Sequence, residues 1–151
     1  MATSPYLHFQ GQCAEALAFY ADVFGGTDLR TMLYAEGTGV PEAWTTSPRI
    51  MHGQVTLGGG TLMGSDFPPG FEGDPQKAVS VMQTLPDVAA ARAAFDRLAD
   101  GGALIQEFGP SFFSPGFGMV RDRFGTHWII SAELDGGPSP DEAAEPEAHP
   151  T

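Results

Sequence analysis

Short segments of alternating apolar and polar residues recur along the chain, and turn residues such as glycine and proline separate them. Alternation of this kind is typical of strands that bury one face. It predicts eight strands, over residues 6–10, 29–35, 50–57, 61–65, 78–85, 103–108, 117–122 and 126–133. Two other segments, 12–24 and 87–100, carry apolar residues at helical spacing, and we predict a helix in each. Asp87 is placed to cap the second helix, and Gly25 and Gly101 are placed to end the two.

The predicted elements follow one order twice: a strand, a helix and three strands. We therefore predict one α+β domain over residues 1–134, built from module one (4–66), a linker (67–76) and module two (77–134). The remaining residues, 135–151, are rich in proline, glutamate and alanine, and we expect this acidic tail to be mobile.

Three consecutive glycines, Gly58 to Gly60, lie between two of the predicted strands. A phosphate-binding loop would need a following helix and a lysine, and this segment has neither, so we interpret the glycines as a hairpin turn. Residues 36–49 form a longer predicted loop, with Trp44 as its one large aromatic residue.

The two halves of the chain also match residue by residue in places. The first match has an offset of 76 and pairs Ala14, Ala18, Phe19, Gly25 and Gly26 with Ala90, Ala94, Phe95, Gly101 and Gly102. The second has an offset of 65 and pairs Val55, Gly60 and Thr61 with Val120, Gly125 and Thr126. These matches indicate two copies of one βαβββ unit. They also predict that Phe19 and Phe95 occupy equivalent environments.

The chain is acidic, with a net charge of −12. Five of its 19 acidic residues lie in the tail, so residues 1–134 carry 14 acidic against 7 basic residues and a charge of −7. Such a surface repels phosphate backbones and anionic lipids, and we expect no nucleic-acid or membrane partner. No apolar run is long enough to span a bilayer and the first residues lack a signal-peptide pattern, which favours a cytoplasmic protein. Cys13 is the single cysteine, which excludes a disulfide within the chain, and we interpret it as a small buried residue rather than a reactive thiol.

Three motifs carry a resemblance to a known family. They are Pro5-Tyr6-Leu7-x-Phe9-x-Gly11, the segment from Glu15-Ala16-Leu17-x-Phe19-Tyr20 to Phe24-Gly25-Gly26, and Asp122-Arg123-Phe124-Gly125-Thr126-His127-Trp128. In this order they resemble the PhnB-like branch of the glyoxalase/bleomycin-resistance superfamily, also called the vicinal oxygen chelate superfamily. The resemblance covers residues 4–133 and implies two βαβββ modules whose curled sheets form a cleft, in a homodimer. Activities in the superfamily range from isomerases and dioxygenases to antibiotic-sequestering proteins, so the resemblance specifies the fold more narrowly than the chemistry.

Enzymes of that superfamily hold a divalent metal on His and Glu residues from the first and last strand of each module. Carried over onto this sequence, the first position falls near Ser4 or Tyr6, the second at about Gly64, the third within residues 79–82 and the fourth at Ile129. None of these positions holds a His or Glu, and the offset of 65 independently pairs Gly64 with Ile129. We therefore predict no metal and no other cofactor.

Other residues on the predicted inner face form a candidate ligand site. If the metal positions face the cleft, alternation puts these side chains there: His8, His52, Gln54, Thr56, Met119, Arg121, His127, Ile129 and Ser131. The same alternation turns these side chains toward the helices: Leu7, Phe9, Trp128 and Ile130. The three histidines could bind a metal or act as general bases, or they could be solvated residues with no joint role. Arg121 is the candidate for binding an anion, with an ion pair to Asp122 or Glu107 as the alternative.

Phe112 and Phe113 precede the closing hairpin, and with Trp44 they could either cap an apolar ligand or fill a dimer interface. The candidate ligand-binding residues are His8, His52, Gln54, Phe112, Phe113, Arg121 and His127. We predict that the protein lacks the usual metal ligands and binds a small, partly apolar, anionic molecule. The alternative is an enzyme, either a metal-dependent lyase, isomerase or dioxygenase with displaced histidine ligands, or a metal-free general-base enzyme. No strand is followed by a glycine-rich turn that opens a helix, which argues against the methyltransferase label that some relatives of this branch carry.

Overall fold

Two four-stranded sheets, each with one helix, make up the fold of residues 1–134, which are the residues that the computed structural model describes. Sheet one has the order β1-β4-β3-β2, and its elements are β1 (Tyr6–Phe9), α1 (Cys13–Phe24), β2 (Thr27–Leu33), β3 (Ile50–Leu57) and β4 (Gly60–Asp66). Sheet two has the order β5-β8-β7-β6, and its elements are β5 (Ser80–Leu85), α2 (Val88–Ala99), β6 (Ala103–Gly109), β7 (Phe117–Arg121) and β8 (His127–Ala132). In each sheet the first and last strands pair in parallel. The prediction of two βαβββ modules is confirmed, and the predicted mobile tail at 135–151 lies outside the described residues.

The hydrophobic core lies between each helix and its sheet. The buried residues of the helices are Cys13, Ala16, Leu17 and Tyr20 in α1 and Ala91, Ala94, Phe95 and Leu98 in α2. The sheets contribute Leu7, Phe9, Trp128 and Ile130, as the alternation predicts. The predicted caps Gly25 and Asp87 are confirmed, because Gly25 adopts φ 66° at the end of α1 and the Asp87 carboxylate accepts a hydrogen bond from the Ala90 N–H at 2.7 Å. The third, Gly101, adopts φ 73° two residues after Ala99, the last residue of α2.

The buried positions of the helices correct the residue-by-residue repeat. The four buried residues of α1 lie 78 positions before those of α2, whereas the sequence match has an offset of 76. Two residues turn a helix through about 200°, so the match pairs residues on different sides of the helices. Phe19 is half-buried beside Phe124 of module two, while Phe95 is buried against Phe108. The predicted equivalence of Phe19 and Phe95 is therefore wrong, although the modules share one topology.

The two closing hairpins differ by one residue in their turns. Thr56 pairs with Thr61 in module one, and four residues lie between them. Arg121 pairs with His127 in module two, and five residues lie between them. The offset of 65 predicts that Thr61 is equivalent to Thr126. The strand register instead makes Thr61 equivalent to His127. The extra residue shifts every position of the last strand by one.

The start of the long loop also differs from the prediction. β2 ends two residues earlier than predicted, because Tyr34–Glu36 forms a 3₁₀ turn in which the Glu36 carboxylate accepts a hydrogen bond from the Leu33 N–H at 2.6 Å. A second 3₁₀ turn, Glu42–Trp44, interrupts the loop. The predicted glycine hairpin turn is confirmed, with Gly58 at φ 58°. Nowhere in residues 1–134 does a helix have the length and apolar character needed to cross a membrane.

A buried carboxylate joins the two modules. Asp122, in the turn between β7 and β8, is 3% exposed and accepts hydrogen bonds from the backbone N–H groups of Phe124 and Thr126 and from Nε1 of Trp128 at 2.9–3.0 Å. The Tyr20 hydroxyl of α1 donates a fourth at 2.5 Å. Burial, followed by the charge of Asp122, raises the pKa of Tyr20 far above its usual range, so its hydroxyl stays a donor. This network ties the helix of module one to the last turn of module two.

Hydrogen bonds also hold the linker against the end of β1. Arg49 donates to the Gln10 carbonyl at 3.1 Å and to two carbonyls of the linker. The Gln10 side chain exchanges two hydrogen bonds with the backbone of Gly73. Gln76 donates from Nε2 to the His8 carbonyl at 3.4 Å. The linker therefore has a defined position beside β1, where it forms part of the walls described below.

Candidate functional site

The face of sheet one that points away from α1 carries a connected group of polar side chains, Tyr6, His8, His52, Gln54 and Ser65, which we call the imidazole patch. Oγ of Ser65 and Nδ1 of His8 form a hydrogen bond at 3.4 Å, and the Tyr6 hydroxyl donates to Nδ1 of His52 at 3.0 Å. The ring centroids of Tyr6 and His8 lie 5.3 Å apart. The patch thus brings together three residues that the sequence predicts for the site: His8, His52 and Gln54.

The two histidines of the patch differ in whether one ring nitrogen is left without a hydrogen bond. Nε2 of His52 lies 3.2 Å from Oε1 of Gln54, which can only accept, so this nitrogen carries the proton and Nδ1 accepts from Tyr6. Both ring nitrogens of His52 are therefore engaged. His8 uses Nδ1 for Ser65, and its Nε2 has no hydrogen-bond partner among residues 1–134. His8 is consequently the histidine of this patch whose second nitrogen is available to a ligand.

Arg121 and His127 are neighbours on the corresponding open face of sheet two, where they pair across β7 and β8. The alternative of an ion pair between Arg121 and Asp122 or Glu107 is wrong, because within the described residues Arg121 enters no ion pair. Asp122 instead turns into the core, where four donors engage its carboxylate. Arg121 is exposed, so its guanidinium is available to an anion.

Two cavities share a wall formed by His8, Pro75 and Gln76 at the junction of the modules. The larger has a volume of about 420 Å³, and its other lining residues include Tyr6, Phe67, Lys77, Val79 and Val81. The smaller has a volume of about 210 Å³, and its other lining residues include Gln10, Gln12, Arg121 and Phe124. The structure therefore brings His8 of module one and Arg121 of module two to one cavity.

Strand register locates the metal positions of the superfamily on the open faces. The equivalent positions on the first and last strand of each module are Tyr6, Met63, Met82 and Ile129. Gly64, predicted for the second position, faces α1 instead, since a Cβ there would meet the Phe9 ring at 3.3 Å. The correction, from Gly64 to Met63, follows from the extra residue in the second hairpin turn. A phenol, two thioethers and an alkyl group do not provide the imidazole and carboxylate ligands of the family site.

The three histidines predicted as alternative metal ligands do not form one site. His8 and His52 belong to sheet one, on strands separated by β4, and His127 belongs to sheet two. Nowhere in residues 1–134 do three His, Cys, Asp or Glu side chains come close enough to share a metal ion. A metal enzyme built on His8, His52 and His127 of a single chain therefore has no support in this arrangement.

The predicted aromatic caps lie elsewhere. Phe112 is fully exposed and Phe113 is 46% exposed, and the latter packs edge-on against Phe117. Phe117 and Arg121 stand at opposite ends of β7, about 13 Å apart along the strand. Trp44 packs edge-on against Tyr34, at a centroid distance of 5.3 Å. None of these aromatic residues lines the two cavities beside His8.

Cys13 is buried at the start of α1, as predicted from the sequence. Burial, and to a smaller extent the charge of Asp66, raises the pKa of the Cys13 thiol to about 12. The thiol is therefore protonated at neutral pH and does not act as a nucleophile.

The cavities contain residues that the sequence reasoning left out of the site. Tyr6 lies two residues before His8 on β1, on the same face, but alternation alone does not distinguish a tyrosine that contacts a ligand from a structural one. Lys77 and Gln76 follow a proline-rich segment without periodicity, so no pattern predicts where their side chains lie. The available signal was composition, since Lys77 is the single lysine of the chain.

Comparisons with known proteins agree with this architecture. The model of a family described as 3-demethylubiquinone-9 3-methyltransferase matches residues 1–131. Protein YjdN of Escherichia coli K12 is 29% identical over 143 residues, which is 87% of this chain and 95% of that protein. Over nearly its whole length, the chain is thus similar to a bacterial relative of comparable size.

Solved structures extend the comparison. Protein PA1353 from Pseudomonas aeruginosa is 35% identical, with a TM-score of 0.79 over 88% of this chain and 98% of that one. A PhnB protein from Bacillus cereus, a putative 3-demethylubiquinone-9 3-methyltransferase, is 25% identical, with a TM-score of 0.66 over 88% and 100% of the two chains. The fosfomycin resistance protein FosX from Listeria monocytogenes is only 10% identical and has a TM-score of 0.59 over 89% and 93%. The likeness to FosX therefore concerns the fold alone.

Proposed function

We propose that this chain, which belongs to the PhnB-like 3-demethylubiquinone-9 3-methyltransferase family of the vicinal oxygen chelate superfamily, is a small-molecule-binding protein. The observation that carries the proposal is that His8 and Arg121, from different modules, line one cavity. The neighbouring cavity of about 420 Å³ also borders His8 and has a volume that suits a small ligand. Apolar walls with a few convergent polar groups are the usual composition of such pockets.

The methyltransferase description of the family is not carried over as an activity. A nucleoside cofactor bound through phosphate or carboxylate groups would use a free helix N-terminus or a glycine-rich turn. In this chain the Asp66 carboxylate accepts hydrogen bonds from the N–H groups of Gly11 and Cys13 at the start of α1. The Asp87 carboxylate accepts one from the N–H of Ala90 at the start of α2. Both helix N-termini are therefore occupied by the protein's own carboxylates.

We further propose that binding needs no family-type metal. The four metal positions carry Tyr6, Met63, Met82 and Ile129, which lack the ligands that hold a divalent cation in the superfamily. Elemental analysis of the purified protein should find far less than one zinc, nickel, manganese or iron per chain. A stoichiometric metal that is lost on replacing His8 or His127 would overturn this part of the proposal.

Titration calorimetry with hexanoate, a small apolar acid, tests the proposed site. We expect binding to the wild type and a loss of about 1.5–3 kcal/mol in Arg121→Met, the range for a hydrogen bond to a charged group. Arg30→Met is the matched control, because Arg30 is also exposed and unpaired within residues 1–134 but lies on β2 and lines neither cavity. The proposal fails if hexanoate does not bind, or if Arg30→Met weakens binding as much as Arg121→Met.

We also propose that the chain forms a homodimer. Large apolar side chains stand exposed on strands and loops: Met32, Val79, Met82, Leu104, Ile105, Phe112 and Phe113. So much exposed apolar surface is unusual for a monomer and is typical of a subunit interface. Sedimentation velocity at micromolar concentration should give a dimer, and Phe112→Ser should shift it toward monomer. A monomeric wild type would refute the proposal.

A metal-free general-base enzyme is the second candidate, and His8 supplies the observation that favours it. Its Nε2 is unengaged within residues 1–134, and His8 lines both cavities. In the tautomer whose Nδ1–H donates to Oγ of Ser65, Nε2 can accept a proton from a bound acid's α-carbon. Deuterium exchange into pyruvate, followed by NMR, should then be faster with wild type and with His127→Gln than with His8→Gln. Equal rates with and without the protein reject this candidate.

A further inference from the structure

Most basic side chains of residues 1–134 already have partners within the protein. Three arginines form ion pairs with acidic side chains: Arg92 with Asp96, Arg97 with Asp22, and Arg123 with Glu15. A fourth, Arg49, donates to backbone carbonyls of β1 and the linker. The described part of the chain thus leaves three basic side chains without an ion pair or hydrogen bond: Arg30, Lys77 and Arg121.

Two of these three free cations border the same pair of cavities. Lys77 lines the larger cavity and Arg121 lines the smaller, and both cavities share His8 and Gln76. Residues 1–134 contain 14 acidic side chains against 7 basic ones, so the chain has enough carboxylates to pair with every basic side chain. Asp74 lines the larger cavity, but its carboxylate is more than 4.0 Å from any basic side chain, so it does not neutralise Lys77. Two cations without ion pairs in the described part of the chain therefore line adjoining cavities that share His8.

We infer that the ligand of this site is a small organic dianion, with one anionic group at Arg121 and the other at Lys77. This inference rests on the proposed function and names its ligand class. The planar guanidinium of Arg121 suits a carboxylate through two parallel hydrogen bonds, whereas the ammonium of Lys77 acts as a point charge. The apolar body of the ligand lies against Phe67, Val79 and Val81 of the larger cavity.

Hydrogen bonds hold the backbone near each of the two cations. Lys77 follows Gln76, whose side chain donates to the His8 carbonyl, and Gln10 holds the linker at Gly73. Arg121 is placed by its pairing with His127 in sheet two. The two charges therefore belong to ordered backbone on both sides of the cavities, which favours a ligand of defined length.

Adipate and hexanoate test the inference, because both have six carbons and they differ by one carboxylate. By calorimetry in low-salt buffer, we expect wild type to bind adipate about tenfold more tightly than hexanoate, the gain of one charge-assisted contact. Lys77→Met should reduce adipate affinity to the level of hexanoate and change hexanoate affinity much less than adipate affinity. Arg121→Met should weaken both acids, and Arg30→Met should weaken neither. Thermal unfolding of each variant without ligand checks that folding is intact.

The possible failures are distinguishable. If wild type binds the two acids equally, or if Lys77→Met leaves the adipate preference intact, the dianion inference is refuted while hexanoate binding still supports the proposed function. If Arg30→Met lowers adipate affinity as much as Lys77→Met, the effect is a general one of charge and the inference is also refuted. If neither acid binds wild type, both the inference and the proposed function fail.

Discussion

The change Tyr20→Phe removes one hydroxyl from the buried network that joins the modules. That hydroxyl donates to Oδ2 of Asp122 at 2.5 Å, and the hydroxyl oxygen of Thr126 lies 3.0 Å from the hydroxyl oxygen of Tyr20. A phenylalanine keeps the ring, which stands edge-on to Trp128 at 4.9 Å. The variant therefore tests the hydrogen bond between the modules with little change in packing.

The expected loss follows from the charge of the acceptor. Hydrogen bonds to charged groups contribute about 1.5–3 kcal/mol, against about 0.5–1.5 kcal/mol for neutral pairs. The chain offers a matched control in Tyr34→Phe, because the Tyr34 hydroxyl donates to a neutral acceptor, the backbone carbonyl of Asp66, at 2.7 Å. We expect the free energy of unfolding to fall about twice as much in Tyr20→Phe as in Tyr34→Phe.

Urea unfolding at one fixed protein concentration measures both variants, since self-association would make stability depend on concentration. Fluorescence of Trp128, which is buried beside Tyr20, reports on the region that is changed. If Tyr20→Phe costs no more than Tyr34→Phe, the carboxylate network does not link the modules in the way argued above.

Two further predictions concern the core. Gly53→Ala should lower the free energy of unfolding by about 1–3 kcal/mol, because the new Cβ would meet Leu17 Cδ1 at 2.5 Å. Gly59→Ala is the control and should change the free energy of unfolding little, because a Cβ at Gly59 meets nothing within 4 Å. Equal effects of the two changes in urea unfolding would contradict this account. Cys13 should not react with a thiol reagent at pH 8 until the protein unfolds, and prompt labelling of native protein would refute the burial argument. The pKa of its thiol rises from 9.0 to about 12 on folding, so above pH 9 the unfolded state loses the proton first. The free energy of unfolding should therefore fall as the pH rises toward 12. It should fall less steeply in Cys13→Ala.

The sequence predicts the architecture well because strand alternation and helical spacing are local signals. Leu7 and Trp128 fall on the buried faces by counting residues within a single strand. Errors arise where the reasoning depends on the alignment of the two halves. The match of Phe19 with Phe95 rests on identical residues, and that of Gly64 with Ile129 extends an offset set by identical residues nearby. Neither pair is equivalent in space, because turns and helix starts differ by one or two residues.

The candidate site is predictable only in part, and for a related reason. His8 and Arg121 lie on strands, so their faces follow from periodicity. Phe112 lies in a loop and Lys77 at the end of the linker, where no repeating pattern fixes direction. The contact between Tyr20 and Asp122 spans 102 residues, and no local pattern in the sequence signals it.

The unequal hairpin turns also determine where this chain accepts added residues. The backbone at Gly58 and Gly59 has no atom within 4 Å of an added Cβ, and its strands are held by their own pairing. Extra residues at that tip extend into solvent and leave both strands in register. The turn after Arg121 does not tolerate added residues in this way, because the buried Asp122 carboxylate accepts hydrogen bonds from the backbone N–H groups of Phe124 and Thr126. A peptide epitope or a fluorescent reporter can therefore be placed in the first hairpin, whereas the same insertion in the second would pull the two modules apart.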